Sequence, residues 1–352
     1  MTTNTGTLDI TDLQAARLIS AADYGLDTIQ QVLQADLAGH NERVNMMLSE
    51  MCELTADRQR IYGTSVSGAM VEVDEYGKAP TQKNVAGSAV GFPLRKFQFN
   101  LGWTAEWFKR HTPADMAAAV IAAETAHQME IVRQIKKAAF SNVNYTFPDF
   151  LVDNVPLYVK RFVNADSASI PNGPNGETYD GATHDHYNAN ATLTAAAMLA
   201  NINDVIEHGF GGAVKVAIST TNEAAVRALS GFNAYVDPRI IYRVTDTPGE
   251  TLDISRLDNR AIGIFGGAEV WVKSWAIAGY QFAWDAASPQ KPFVFRQDGA
   301  GGLQGLRIAA TLDDYPLYSQ FMESEFGVGV WTRTNGAILD HGNGAYTVPT
   351  IA

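Results

Sequence analysis

The run Thr183-His184-Asp185-His186-Tyr187 puts two imidazoles and a carboxylate side by side, the densest grouping of metal-ligating residue types in the chain. Neutral imidazole and carboxylate are zinc donors, so the chemistry on offer is that of a metal-dependent enzyme built on His184 and His186. Adjacent loop side chains are expected to point apart, however, and neither an HExxH helix nor a fourth ligand stands nearby in sequence. No metal, cofactor-binding or catalytic residue is therefore assigned. His40, His111, His127 and His341 are scattered and carry no pairing signal. Cys52, the single cysteine, lies in a Met/Leu-rich stripe that suits an inert buried thiol, and it has no partner for an intrachain disulfide. Asp313-Asp314 and Glu323 with Glu325 have the types of an acid/base pair. Lys109-Arg110, Lys136-Lys137 and Lys160-Arg161 are short basic pairs. Solvated surface charge accounts for all of these, with intersubunit ion pairing or a lumen-facing patch as the sharper reading of the basic ones. GxSxG, Walker A, CxxC and HExxH patterns are absent from the sequence, which shifts weight toward a structural role.

Three glycine-rich runs invite a phosphate-binding reading and resist it. His208 to Ile218, HGFGGAVKVAI, follows a helical pattern and precedes a strand, the reverse of a dinucleotide fingerprint, so its glycines read as a helix C-cap. Gly263 to Val270, GIFGGAEV, lies between two strand patterns and reads as a turn. Glu325 to Pro349 interleaves glycine with Val328, Val330, Trp331, Thr332 and Thr334, residues that favour a pleated strand. Asn335-Gly336 and Gly342-Asn343-Gly344 read as hairpin turns there.

The elements that must position these residues divide the chain. From Asp9 to about Arg60 the pattern is helical, with Leu26, Ile29, Leu33 and Leu37 on one stripe, an interruption at Gly39, and a second stripe through Val44, Met47, Leu48, Met51 and Leu54. Period two then takes over: Phe97, Phe99, Leu101 and Trp103 alternate with polar residues, and an opposing run, Met70 to Asp74, is expected to pair with them as a long hairpin. Two strands alone are marginal in water, so Phe97, Phe99 and Leu101 are expected to contact a neighbouring subunit. The clearest helix runs from Pro113 to about Ala139, with Thr112 and Asp115 placed as a capping box. Residues 164–190 read as a long loop. A helix from about Thr192 to His208, a strand at AVKVAIS, a helix at TTNEAAVRALS and strands near 240–244, 262–265 and 269–272 read as a second domain, and further β runs close the chain.

Composition narrows the class. Hydrophobic residues are 46% and charged residues only 18%, so much of the surface is uncharged or covered by other chains. A net charge of −12 argues against a general grip on nucleic-acid phosphates. The opening MTTNTGTLDITD lacks a signal-peptide pattern, and no apolar run approaches the roughly 18 residues of a membrane span. A cytosolic product without membrane contact is expected.

The order of these pieces resembles the major capsid proteins of tailed bacteriophages, the Hong Kong 97-type fold shared with encapsulin shells. MVEVDEYGKAPTQKNVAGSAVGFPLRKFQFNLGWT resembles the extended E-loop, PADMAAAVIAAETAHQMEIVRQIKKAAF the spine of the peripheral domain, VKVAISTTNEAAVRAL and IGIFGGAEVWVKSWA parts of the axial domain, and GVGVWTRTNGAIL a strand returning to the peripheral domain. The implied fold class is α+β: an N-terminal arm (1–61), an extended β-hairpin (62–104), a peripheral domain (105–163 and 306–352), a loop (164–190) and an axial α/β domain (191–305). The resemblance implies a structural, non-enzymatic protein that self-assembles as hexamers and pentamers into an icosahedral virion head in the host cytoplasm. Its implied partners are portal and scaffolding proteins, a decoration protein, and packaged DNA on the lumen side without sequence-specific binding. An encapsulin-like compartment holding enzyme cargo is the alternative. Lys78 and Lys83, at the hairpin tip, are placed as intersubunit contacts alongside Phe97, Phe99 and Leu101; covalently cross-linking family members use lysine, but a lysine alone does not establish this, and solvated tip charge accounts for both.

Overall fold

A computed structural model describes residues 9–62, 70–81, 87–235 and 259–351. The described chain opens with α1 (Ile10–Ala15), α2 (Ala21–Tyr24) and α3 (Leu26–Leu48). Asp9 caps α1, accepting hydrogen bonds from the backbone of Thr11 and Asp12. Helix α3 buries Ile29, Val32, Leu33, Leu37, Val44 and Leu48 along one face. It runs straight through Gly39, contrary to the expected interruption, because a glycine in a helix costs only about 1 kcal/mol and the long apolar stripe outweighs it. The helical reading to Arg60 also fails. After Leu48 come β1 (Cys52–Thr55) and β2 (Gln59–Tyr62), so Cys52 sits on a strand. Its thiol is pushed up to about 12 by burial, in keeping with an inert side chain.

Next come β3 (Ser88–Gly91), β4 (Arg95–Thr104), α4 (Ala105–Arg110) and α5 (Pro113–Phe140). Helix α5 is the expected spine. Asp115 accepts from the Thr112 backbone N–H at 2.9 Å and from its hydroxyl at 3.0 Å, and 28 residues make it about 40 Å long. Then follow β5 (Tyr145–Pro148), β6 (Pro156–Val159), β7 (Tyr187–Ala189), α6 (Ala195–Ile206), β8 (Val214–Ile218), α7 (Glu223–Arg227), β9 (Asn233–Ala234), β10 (Asn259–Phe265), β11 (Ala268–Lys273), β12 (Tyr280–Asp285), β13 (Phe293–Gln297), β14 (Arg307–Asp314), β15 (Leu317–Val330) and β16 (Ala337–Asp340). The strand expected near 240–244 lies outside the described residues. The expected turns hold at two glycine runs. Gly209, at φ +86°, follows α6, and Gly266-Gly267, both at positive φ, join β10 to β11.

Two sheets organise the body. In the first, β1, β13, β15 and β14 lie in that order, and β4 pairs along the other edge of the long β15. In the second the order is β7, β16, β12, β8, β11, β10, β9. Helix α6 buries Met198, Ile202 and Val205 against Val214, Val216, Val270 and Val272 of the second sheet. The C-terminal half of α5 drives Ile131, Ile135 and Phe140 into a core shared by Phe295, Phe326 and Val328 of the first sheet and Phe282, Trp284 and Ile338 of the second. The sheets are thus joined through a single apolar core.

Sheet membership moves two expected boundaries. Phe293–Gln297, placed with the axial segment, belongs to the first sheet, and Ala337–Asp340, placed with the peripheral segment, belongs to the second. The Asn335-Gly336 hairpin is also corrected, since β15 and β16 lie in different sheets. Residues 331–336 instead carry the chain from one sheet to the other through the interior. Arg333 there is fully buried, and its guanidinium donates to Arg161 O at 2.6 Å and Asn164 Oδ1 at 2.9 Å and pairs with Asp166 at 3.0 Å. Burial raises the Asp166 carboxyl, but Arg333 and Lys160 outweigh it and hold the group at about 2. The glycines of β15 serve close approach. A Cβ on Gly327 would stand 1.9 Å from Pro93 O, and one on Gly329 2.6 Å from the Phe92 ring.

Candidate assembly surface

The alternation read at Phe97, Phe99, Leu101 and Trp103 is real, but its partner is not Met70–Asp74. Strand β4 pairs antiparallel with β15, Thr104 opposite Leu317 through Arg95 opposite Phe326. Its apolar face is consequently covered from within the chain. Phe97 packs on Phe326 with ring centroids 4.7 Å apart, while Phe99 and Leu101 lean on the core formed by Ile29 and Leu33 of α3 with Met116 and Val120 of α5. All three are half-buried, so much of the apolar area that called for a neighbouring subunit is covered by their own chain. A strand absorbed into a sheet under a helix already has its face dry.

The excursion itself begins after β2 and ends before β3, whose antiparallel pairing, Gln59 opposite Gly91 through Tyr62 opposite Ser88, forms its root. That root is fixed. The Arg58 guanidinium grips Asp153 through two bonds of 2.8 and 2.7 Å, holding that carboxyl at about 2, and reaches Asp149 at 3.2 Å. Asp149, fully buried, also takes Arg296 at 3.0 Å, and Arg296 donates in turn to Phe92 O at 2.8 Å. Tyr62, Val90 and Phe92 cluster with Val294, and the Tyr62 hydroxyl lies 3.0 Å from Thr334 Oγ1.

Beyond the root every described residue from 70 to 81 is exposed. Met70 is 103% and Tyr76 89% exposed, and Val71 and Val73 are about half exposed. Four large apolar side chains exposed together on one segment make it a candidate contact surface. These residues join Phe97, Phe99 and Leu101 as candidate contacts. The sequence reading missed them because MVEVDEY alternates like a strand and invites pairing with β4. Lys78 stands on the same exposed segment, and Lys83 lies outside the described residues. On the body, Met46, Met47 and Met129 are exposed around a groove floored by Met51, Val132 and Trp275.

Two of the histidines expected to be scattered, His40 and His127, come together. His40 Nε2 lies 3.0 Å from His127 Nδ1, and His127 Nε2 lies 3.0 Å from Ser324 Oγ, tying α3 through α5 to β15. Burial lowers His127 to about 4. Beside them Glu124, facing His40, Arg43 and Asp36, is raised to about 7 by burial and the Asp36 carboxylate, and its Oε1 is buried without a hydrogen bond among the described residues.

His184 and His186 do not point apart. Two residues apart in extended backbone, they project to the same side, while Asp185 turns away to accept from the Tyr187 N–H at 2.9 Å. Glu207 and His208, just past α6, meet them. The three Nε2 atoms are 3.0 to 3.2 Å from one another, and Glu207 Oε1 is 3.1 Å from that of His184. Burial lowers all three imidazoles, His208 to about 4. The acidic pairs have ordinary roles. Glu323 is held between Lys96 and Arg307, Glu325 beside the same two cations, and Asp313-Asp314 are exposed.

Comparison with known proteins places this geometry. No protein-family model matches the sequence, and no curated protein matches it. Among solved structures, one from Mycobacterium phage Patience superposes with a TM-score of 0.69 at 19% identity, covering 99% of this chain and 96% of that one. A capsid of a native GTA particle gives a TM-score of 0.47 at 12% identity over 84% of this chain and 90% of that one. The SrpI encapsulin of Synechococcus elongatus PCC 7942 gives 0.43 at 11% identity over 86% and 90%. The fold is the α+β, Hong Kong 97-type capsid fold. Among the described residues no helix is long and apolar enough to cross a membrane.

Proposed function

We propose that this chain is a major capsid protein, assembling with copies of itself as hexamers and pentamers into the icosahedral head of a tailed phage around double-stranded DNA. The observation that carries this reading is the correspondence with the Mycobacterium phage Patience structure, which extends over 99% of this chain and 96% of that one. On this reading α5 with the first sheet is the peripheral domain, the second sheet with α6 the axial domain, and the excursion between β2 and β3 the E-loop. The excursion clasps a neighbouring subunit through Met70, Val71, Val73 and Tyr76, whose burial stabilises the contact by roughly 25 cal/mol per Å².

The remaining parts of the reading follow from charge and compartment. A net charge of −12 argues against a general grip on phosphates, and packaged DNA is expected on the lumen side without sequence-specific binding. Scaffolding, portal and decoration proteins are its expected partners, and assembly takes place in the host cytoplasm. No catalytic step is ascribed to the chain, and Glu323 and Glu325 act as ion-pair partners.

The test is electron microscopy of the protein expressed with and without its neighbouring phage genes, followed by analysis of particle contents. Closed shells that take up DNA support the reading. Closed shells that hold a defined protein cargo move it to a storage compartment, and a persistent monomer overturns it.

A further inference from the structure

We propose that His184, His186, His208 and Glu207 form a structural zinc site that pins the 164–190 loop to the end of α6. The shape of the cluster carries the inference. Around a tetrahedral zinc, ligand atoms at about 2.0–2.1 Å from the ion stand roughly 3.3 Å from each other. The three Nε2 atoms form a triangle with sides of 3.0, 3.2 and 3.1 Å, close to one face of that tetrahedron. Glu207 Oε1, 3.1 Å from one corner and 3.6 Å from another, supplies the fourth vertex. All four ligand atoms fall within 4.8 Å of one another.

Hydrogen bonding alone does not account for the triangle. His186 Nδ1 lies 2.8 Å from Gly336 O and must donate to it, so the His186 Nε2 carries a lone pair toward the cluster. With that ring able only to accept, protons on the other two cannot bridge all three edges, and on at least one edge two lone pairs or two N–H groups face each other at hydrogen-bond distance. A cation converts that repulsion into bonds. Glu207 Oε1 is buried and makes no hydrogen bond among the described residues, although it lies 3.1 Å from His184 Nε2. That is the arrangement of two groups aimed at a common centre rather than at each other. The His186 bond to Gly336 O is also the outer contact that orients a ligating imidazole.

The surroundings fit a closed structural site. His186 is fully buried and the His208 side chain is 2% exposed. The Tyr179 ring covers the cluster, with centroids 4.2 Å from His208 and 4.8 Å from His184, and its hydroxyl donates to Glu207 O at 2.7 Å. Four protein ligands fill a tetrahedron and leave no position for a substrate, which separates this site from a catalytic one. Neutral imidazole with a single carboxylate suits zinc among the common divalent ions, and it disfavours magnesium and calcium, which take oxygen. The inference does not depend on the shell function.

The experiment uses the full chain purified without a polyhistidine tag, stripped with a chelator, reloaded with zinc and dialysed. About one zinc per chain is expected by elemental analysis, falling at least tenfold in His208→Ala and in His184→Ala. Chelation should lower the melting temperature of the wild type and leave the His208→Ala variant unmoved. Cobalt substituted into the stripped wild type should give the intense visible bands of a tetrahedral nitrogen-and-oxygen set, a readout that needs no variant to fold. A wild type that retains no zinc, cobalt bands of the weak octahedral kind, or full zinc content in both variants overturns the proposal.

Discussion

Two stretches of similar length behave in opposite ways: residues 70–81 expose every side chain, while residues 332–340 bury every one. The buried stretch is also polar. Thr332, Arg333, Thr334 and Asn335 lie in the interior, and Asn335 accepts from the Asp285 N–H at 2.8 Å and donates to Gln290 O at 2.8 Å. The exposed stretch carries the large apolar side chains of Met70, Val71, Val73 and Tyr76. Interior polarity and exterior grease invert the usual rule, and each inversion is informative. The crossing is over-determined by its own subunit, so it fixes one sheet against the other. Residues 70–81 are exposed throughout, so on the proposed reading their cover comes from a neighbouring subunit.

The sharpest attack on the buried side is Arg333→Met. It leaves Asp166 with Lys160 as its one neighbouring cation among the described residues, and removing one partner of a buried pair should cost about 3–5 kcal/mol, read by chemical denaturation of the unassembled subunit. The pH dependence has a definite sign. Asp166 is depressed, so its contribution is present above about pH 4 and is lost as pH falls toward 2.

Gly327→Ala attacks the same region through space rather than charge. The new methyl would meet Pro93 O at 1.9 Å, a backbone atom that cannot rotate away. A loss of about 1–3 kcal/mol is expected in the same assay. An unchanged midpoint would mean that the crossing of residues 92–94 over β15 is looser than described.

Glu124→Gln sharpens the picture at the junction of α3 and α5. Glu124 is raised from 4.5 to about 7, so the wild type loses stability as pH climbs through that window. His127 is depressed from 6.5 to about 4, so its contribution is lost as pH falls through nearly the same window. The two slopes oppose each other. The variant should match the wild type near pH 4 and exceed it by roughly 2 kcal/mol near pH 8, leaving the His127 slope visible in a series of melts. Parallel pH profiles for the two proteins would contradict the assignment.

The smallest effect belongs to the exposed side. Met70→Ser with Tyr76→Ser should move subunit stability by no more than about 0.5 kcal/mol, since neither side chain touches the body. The same pair should nonetheless depress shell yield in an assembly assay. A large loss of subunit stability would mean that the excursion folds back on its own chain.

What the sequence made legible was local. The spine helix is written in one window, with Thr112, Pro113 and Asp115 at its start and an apolar stripe along it, so its limits agree with the structure to within a residue. Phe97, Phe99 and Leu101 announced a strand correctly. The partner of that strand lies in 317–326, and nothing in either window names the other. The nearer run at Met70 therefore looked like the mate. The zinc-like cluster was half visible: His184 and His186 stand together, but Glu207 and His208 arrive only because α6 ends where it does. Alternation along extended backbone would have placed the two histidines on one side.

A cryo-EM map of the assembled particle tests the central claim most directly. Closed icosahedral shells are expected, with density for residues 70–81 lying against a neighbouring subunit and with Met70 and Tyr76 out of water. Particles that never close, or shells in which that segment lies on its own body and touches no neighbour, would contradict the account.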